Sequence, residues 1–239
     1  MKQLLLLVWV TGFCVGCTND GVVITGKVKN YDGNAIILEK KVGLIYRELD
    51  TLFIKKDSTF RITIKNDEPD YYRLNFTYRN RVPVLVGYDD FYVEVDASNI
   101  RGKYTISGSS DHELIDEVKS LHANFGSLKA IKTLKGQYEK ASTEGDQNSM
   151  KDAEQKYQKA IEEKDEMIKE VILEGLENKA YLGAVELLYN NALRPDKHID
   201  IFQKVSDTLN EKIPDASITK RFTTYVQTIQ QTVKLQQNE

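Results

Sequence analysis

The sequence predicts an α+β protein, with an N-terminal antiparallel β-sandwich or barrel of about eight strands and a C-terminal all-α region containing a long helical hairpin. Two observations predict this class. Residues 22–106 alternate apolar and polar side chains between turns rich in Gly, Asn, Asp and Pro. After Gly108 the apolar side chains recur every three or four positions. We therefore expect a β-domain over 22–107 and a helical domain over 108–239.

Short segments of β-branched and aromatic residues make up the first half. Each is bounded by turn residues, a pattern that is typical of antiparallel sandwiches and barrels. The predicted strands are residues 22–28, 35–39, 44–54, 59–65, 71–76, 82–86, 91–96 and 103–107.

The second half begins with one long predicted helix. Its apolar stripe runs from Leu114 to Tyr138 and reaches a polar break at 142–146. A second long helix is expected over about 147–177, so that the two form an αα-hairpin. Three shorter helices complete the prediction, with prolines between them. They are residues 181–193, 198–209 and 217–235.

The first residues have the pattern of a secretion signal. Lys2 precedes an apolar run from Leu4 to Gly16, and polar residues follow at once. As a helix this run would reach only about 20 Å, which is short of the roughly 30 Å hydrocarbon core of a bilayer. Residues 1–16 are therefore predicted to be a signal peptide, and residues 17–21 a linker to the β-domain.

Both cysteines of the chain, Cys14 and Cys17, lie at the end of this leader. Val15-Gly16-Cys17 resembles the lipobox of bacterial lipoproteins, although Cys14 stands where that motif usually has Leu. The resemblance implies that Cys17 is acylated, which makes the membrane a partner through a lipid anchor. An ordinary cleaved signal is one alternative. A redox pair is another, but no folded scaffold surrounds the two cysteines to stabilise a thiolate.

Composition and motifs favour no enzymatic chemistry. The formal net charge is −3, and neither half has the basic stripe that nucleic-acid binding requires. His112 and His122 would lie roughly 15 Å apart along one helix, too far to share a metal ion. His112 is expected to bond Asp116 on the helix surface, and Asp89-Asp90 to serve a turn. No catalytic residue, metal site or cofactor is predicted.

Tyrosines concentrate in the later strands. Tyr71, Tyr72, Tyr88 and Tyr92 are the candidate ligand-binding residues, because a row of exposed rings could stack on sugars or peptides. The alternative is that some of them fill the core and others cover the outer face of a sheet. The sequence leaves both open.

Several segments together resemble a known family layout. They are "VVITGKVKN", "STFRITIK", "FYVEVDASNI" and "KYTISGSSDHELIDE". They are similar to lipoproteins of Bacteroidota in which an N-terminal β-domain of unknown function precedes a thioredoxin-like, alkyl-hydroperoxide-reductase-related domain. In this chain "TTYVQTIQQTVKLQQNE" stands where that domain would follow, so no family catalytic residue can be carried over.

The resemblance implies a lipid-anchored, non-enzymatic accessory or partner-binding module of the cell envelope. A truncated redox lipoprotein and a glycan- or ligand-binding lipoprotein are the alternatives. Thr18-Asn19-Asp20 lacks the acidic run that resembles surface-export signals. We therefore expect an outer-membrane lipoprotein that faces the periplasm, with a possible envelope protein as partner.

Overall fold

A computed structural model describes residues 21–43, 45–65, 69–77, 80–98, 100 and 104–236. The predicted signal peptide and Cys17 lie outside these residues. The described chain forms eight strands followed by six helices, which confirms the α+β class. The strands are β1 (Val22–Lys29), β2 (Ala35–Val42), β3 (Ile45–Phe53), β4 (Thr59–Ile64), β5 (Asp70–Thr77), β6 (Asn80–Val86), β7 (Phe91–Asp96) and β8 (Tyr104–Ser107). The helices are α1 (Ser110–Ser127), α2 (Lys129–Glu144), α3 (Gln147–Glu177), α4 (Tyr181–Tyr189), α5 (Ile199–Lys212) and α6 (Ser217–Gln236).

The strands form two four-stranded sheets that enclose one core. The first sheet has the order β4-β1-β7-β8 and the second the order β3-β2-β5-β6. Alternate side chains of both sheets meet between them, and the most deeply buried have no exposed surface. The β-domain is therefore a sandwich. Its fully buried side chains include Ile24, Ile36, Leu38, Leu74, Val84 and Val93.

One strand pair departs from the predicted antiparallel arrangement. β1 and β7 are parallel, with Ile24 opposite Phe91, whereas the other paired strands are antiparallel. The reason is the chain path. β6 ends in the second sheet, and the turn after it leads β7 into the first sheet alongside β1 and in the same direction. Alternation within each strand could not reveal this pairing.

The predicted first long helix is wrong in one respect, because it is two helices. Leu128 has an extended conformation (φ −55°, ψ 131°) and separates α1 from α2. Gly126 and Ser127, both weak helix formers, precede the break, and the Ser127 hydroxyl donates to the carbonyl oxygen of Asn124. The hairpin itself is confirmed, because α3 packs against both α1 and α2.

The shorter helices follow the prediction with one change. α4 ends at Tyr189 rather than continuing to Leu193, and Asn191 has a left-handed conformation (φ 57°). Leu193 is nevertheless buried, because the segment after α4 folds back on the helical core. Among the described residues, no helix has the length and apolarity needed to cross a membrane.

Candidate functional site

The two adjacent tyrosines of β5 are buried on opposite faces of their sheet. Tyr72 is 2% exposed and lies in the sandwich core. Tyr71 is 7% exposed and packs with the helices on the outer face. Successive side chains of a strand point to opposite faces, so these two rings cannot contribute to one surface.

The other two candidate tyrosines also lie apart. Tyr88, in the turn after β6, packs edge-on against Tyr181 of α4, with 6.2 Å between ring centroids. Tyr92 lies between the core residues Phe91 and Val93 of β7, so it faces outward from the other sheet, where it is 38% exposed. The structure thus does not bring the four tyrosines together as a stacking platform.

The turn between β6 and β7 joins the beginning of the sandwich to the beginning of the helical domain. The Asp90 carboxylate accepts a hydrogen bond from the Val23 backbone N–H at 2.7 Å. The Asp89 carboxylate accepts from the Ser110 N–H at 2.9 Å and from its hydroxyl at 2.5 Å. Both acids lie in a turn, as predicted, but their hydrogen-bond donors belong to β1 and α1 rather than to the turn itself. The two acids also hold the starts of β1 and α1 next to one another.

A third carboxylate, Asp111, joins α1 to α4. It is 2% exposed, and its Oδ1 accepts a hydrogen bond from the Gly183 backbone N–H at 2.8 Å. Ala180, at the N-cap of α4, makes no side-chain capping bond, so Asp111 supplies the missing acceptor from another helix. Burial raises the pKa of Asp111 to about 7, against the opposing effect of its hydrogen bonds from the backbone.

Two glycines make room for this carboxylate. A Cβ at Gly87 would lie 2.3 Å from the Asp111 Oδ2, and one at Gly183 would lie 2.5 Å from the Asp111 carbonyl oxygen. Neither approach leaves space for a side chain. The Asp111 junction, meaning Asp111 with Gly87 and Gly183, therefore requires glycine at position 183, where the clash is with backbone, whereas a side chain at position 87 would displace the Asp111 carboxylate.

His112 attaches α1 to the edge of the second sheet. Its Nε2 accepts a hydrogen bond from the Leu85 backbone N–H of β6 at 2.9 Å, and its ring lies near that of Phe91. Burial lowers the pKa of His112 to about 4, so the imidazole is neutral with its proton on Nδ1. The expected hydrogen bond to Asp116 is wrong, because Asp116 pairs with Lys119 instead.

Two further buried acids link separate elements. Asp70 of β5 lies 3.2 Å from the Lys40 Nζ and 3.5 Å from the Arg221 Nη2 of α6. Asp165 of α3 lies 3.1 Å from the His198 Nε2, just before α5. Both acids thus join elements that are distant in sequence. Within the described ranges, no three His, Cys, Asp or Glu side chains are grouped so that they could hold a metal ion.

The α2–α3 hairpin has two different sides. One carries an apolar groove of about 250 Å³, which we call the arm groove. The other side carries internal ion pairs, Lys156 with Asp152 at 2.7 Å and Lys140 with Glu144 at 3.9 Å. The groove thus exposes more apolar surface than the side that carries these ion pairs. It is lined by Leu134, Tyr138, Ala153 and Tyr157, with Lys135, Glu139, Glu154 and Gln158 around them.

Part of the chain matches a protein-family model. Residues 22–115 match the model described as Domain of unknown function (DUF4369). This segment is a DUF4369 domain. No curated protein matches the chain, and no solved structure matches it.

The DUF4369 domain includes the first residues of α1, and with them both Asp111 and His112. It therefore contains the side chains that join the sandwich to the helices, although α4 and the arm groove lie outside it. Sequence reasoning missed the Asp111 junction. The available signal was an acid next to a predicted helix start, but its partner Gly183 is 72 residues away.

Proposed function

We propose that the protein is a lipid-anchored, non-enzymatic partner-binding module of the bacterial cell envelope. Acylated Cys17 would hold it in the outer membrane, on the periplasmic side. The lipobox-like Val15-Gly16-Cys17 supports the anchor. The DUF4369 match supports the part of the family resemblance that concerns a β-domain of unknown function.

The observation that carries the proposal is the difference between the two sides of the hairpin. In the arm groove Tyr138 is 40% exposed and Leu134 is half-buried, while ion pairs occupy the other side. A helix laid in the groove between two antiparallel helices would bury these side chains by ordinary helix packing. We therefore expect the partner to present an amphipathic helix, which would form a three-helix arrangement with α2 and α3.

The connections at the Asp89-Asp90 turn give such docking a fixed geometry. Val23 and Ser110 are bonded to neighbouring acids, so the start of β1 and the start of α1 are held together. Asp111 adds a contact from α1 to α4. A partner bound on the arm, meaning the α2–α3 hairpin, would thereby be held in a set position relative to the proposed anchor.

Photo-crosslinking in intact cells tests the docking. A photoreactive residue at Tyr138 points into the arm groove, and the same residue at Gln137 of the same helix belongs to the other side. We expect one dominant protein adduct from position 138 and none from position 137. Equal adducts at both positions, or none at 138, would contradict the proposal.

The anchor has its own test. Cys17→Ser should release the protein from the membrane fraction and abolish incorporation of labelled fatty acid. Retention of labelled lipid by this variant would show that Cys17 is not the anchor.

The family resemblance makes a thioredoxin-fold envelope protein the first partner to seek. The alternative of a redox lipoprotein with a further domain is tested by the coding sequence after Glu239, where a stop codon would remove it. Glycan binding by the tyrosines is less favoured, because Tyr71 and Tyr72 are buried on opposite faces.

A further inference from the structure

The end of the β2–β3 hairpin exposes apolar side chains. Val42 and Ile45 lie directly opposite one another across the hairpin, 43% and 57% exposed. The ladder from β2 to β5 stops at Lys40, so the hairpin end extends past its neighbour. Lys41 and Arg47 flank the apolar pair. We call these four residues, Val42, Ile45, Lys41 and Arg47, the hairpin tip.

The hairpin tip lies at the end of the sandwich where the chain enters. The connection can be followed through paired residues. Lys40 of β2 lies opposite Tyr72 of β5. Tyr72 is two residues after Asp70, and Asp70 lies opposite Val86 at the end of β6. The turn that follows carries Asp90, which bonds the Val23 N–H. The tip and the beginning of β1 therefore share one end of the sandwich.

The proposed anchor brings this end close to a bilayer. Four peptide steps separate Cys17 from Gly21, the first described residue. Fully extended, they span at most about 14 Å. The two sheets of a sandwich lie about 10 Å apart, so the hairpin tip is within reach of the same membrane surface.

We propose that the hairpin tip is a second membrane contact, in which Val42 and Ile45 enter the headgroup region of an anionic bilayer while Arg47 meets lipid phosphates. This inference rests on the anchor in the proposed function. Arg47 is exposed, whereas the Lys40 Nζ lies 3.2 Å from Asp70 and the Lys41 Nζ lies over the Tyr71 ring, 5.0 Å from its centroid. Arg47 is therefore the cation that the tip presents to a membrane. An apolar pair beside an exposed cation is a pattern expected of an interfacial contact. Two attachment points would fix the orientation of the arm above the membrane.

Tryptophan fluorescence can test this contact selectively. The chain has one tryptophan, Trp9, in the predicted signal peptide, so the processed protein would have none. Ile45→Trp places a probe at the tip. Phe53→Trp is the matched control, because Phe53 is 74% exposed at the other end of the same strand.

Each purified full-length variant, acylated in cells, would be reconstituted in vesicles of phosphatidylethanolamine and phosphatidylglycerol containing bromine-labelled acyl chains. We expect a blue-shifted emission and at least threefold stronger quenching at position 45 than at position 53. In the Ile45→Trp protein, Arg47→Glu should reduce that quenching on anionic vesicles. Absent quenching at 45, or equal quenching at both positions, would overturn the proposal.

Intact-mass measurement of the same samples separates the two hypotheses. Acylated protein without quenching at 45 overturns the tip contact and leaves the anchor standing. Protein that is neither acylated nor bound to vesicles overturns both. A blue shift without quenching by the labelled lipid would indicate burial against a second copy and would also count against the membrane contact. Quenching at 45 alone supports the tip contact whether or not the protein is acylated.

Discussion

The carboxylate of Asp111 accepts a hydrogen bond from the Gly183 backbone N–H, so a residue in one helix caps the N-terminus of another. Asp111 also lies in the first turn of its own helix, next to the turn that holds β1. The sandwich, the start of α1 and α4 thus meet within a few residues. The stability of this junction decides whether the two halves behave as one body.

Asp111 should make the stability depend on pH. Its pKa is raised from 3.8 to about 7 in the folded protein, so its stabilising contribution is full below pH 4 and is lost as the pH rises through 7. That loss is of order 4 kcal/mol, because the two pKa values differ by about three factors of ten and each corresponds to about 1.4 kcal/mol. Asp111→Asn should therefore show a smaller decrease in unfolding free energy between pH 5 and 8, measured by urea titration. The matched control is Asp116→Asn, an exposed acid on the same helix. Identical pH dependence in wild type and Asp111→Asn would contradict the raised pKa.

Gly183 should not tolerate a side chain. Gly183→Ala would place a Cβ 2.5 Å from the Asp111 carbonyl oxygen, and we expect a loss of about 2–4 kcal/mol in unfolding free energy. Gly136→Ala is the control, since a Cβ at Gly136 would have no atom within 4 Å and alanine favours helix over glycine by about 1 kcal/mol. Thermal unfolding of both variants checks the prediction. A neutral Gly183→Ala would show that the two helices are not in close contact.

The contribution of His112 to stability should be lost at low pH, whereas that of Asp111 is lost at high pH. Its pKa is lowered from 6.5 to about 4, so its contribution is full above pH 6.5 and is lost as the pH falls through 4. His112→Leu removes the acceptor for the Leu85 N–H, which should cost about 1–3 kcal/mol at pH 7.5. His112→Gln, which keeps an acceptor, should recover part of that loss. In urea unfolding below pH 6.5, the leucine variant should lose less stability than wild type does.

Tyr138 should contribute to partner binding more than to folding. It is 40% exposed in the arm groove, so Tyr138→Ala should change the unfolding free energy by less than about 1 kcal/mol. The same change should abolish capture of the partner identified from position 138, measured with a crosslinker placed at Leu134. Ile131→Ala, at a buried position of the same helix, should instead destabilise the arm by about 2–5 kcal/mol. An unchanged adduct yield in Tyr138→Ala would show that the groove is not the binding surface.

The sequence predicts features that depend on local periodicity. The alternation in β4 and the apolar stripe of α3 predict the bounds of both elements well, because each element buries one face against a core. The parallel pairing of β1 with β7 and the break at Leu128 were missed. Pairing depends on chain path, and the break lies within an apolar pattern that continues across it.

The candidate site depends still more on long-range contacts. Composition alone does not distinguish Tyr71 from Tyr72. Their side chains lie on opposite faces of β5, so they are buried in two different cores. Asp111 of α1 bonds Gly183 of α4, 72 residues away, and His112 bonds Leu85 of the edge strand β6. Such contacts follow from how the elements pack, which the periodicity of one sequence does not specify.

Partner binding by the arm is best tested with a crosslinking scan along α2 in intact cells. A photoreactive residue would be placed in turn at each position from 134 to 140, and adducts would be identified by mass spectrometry. We predict one protein partner, with adduct yields highest at 134 and 138, one helical turn apart, and lowest at 137 and 140. A uniform yield along the helix, or no specific adduct at any position, would contradict a partner-binding role for the arm.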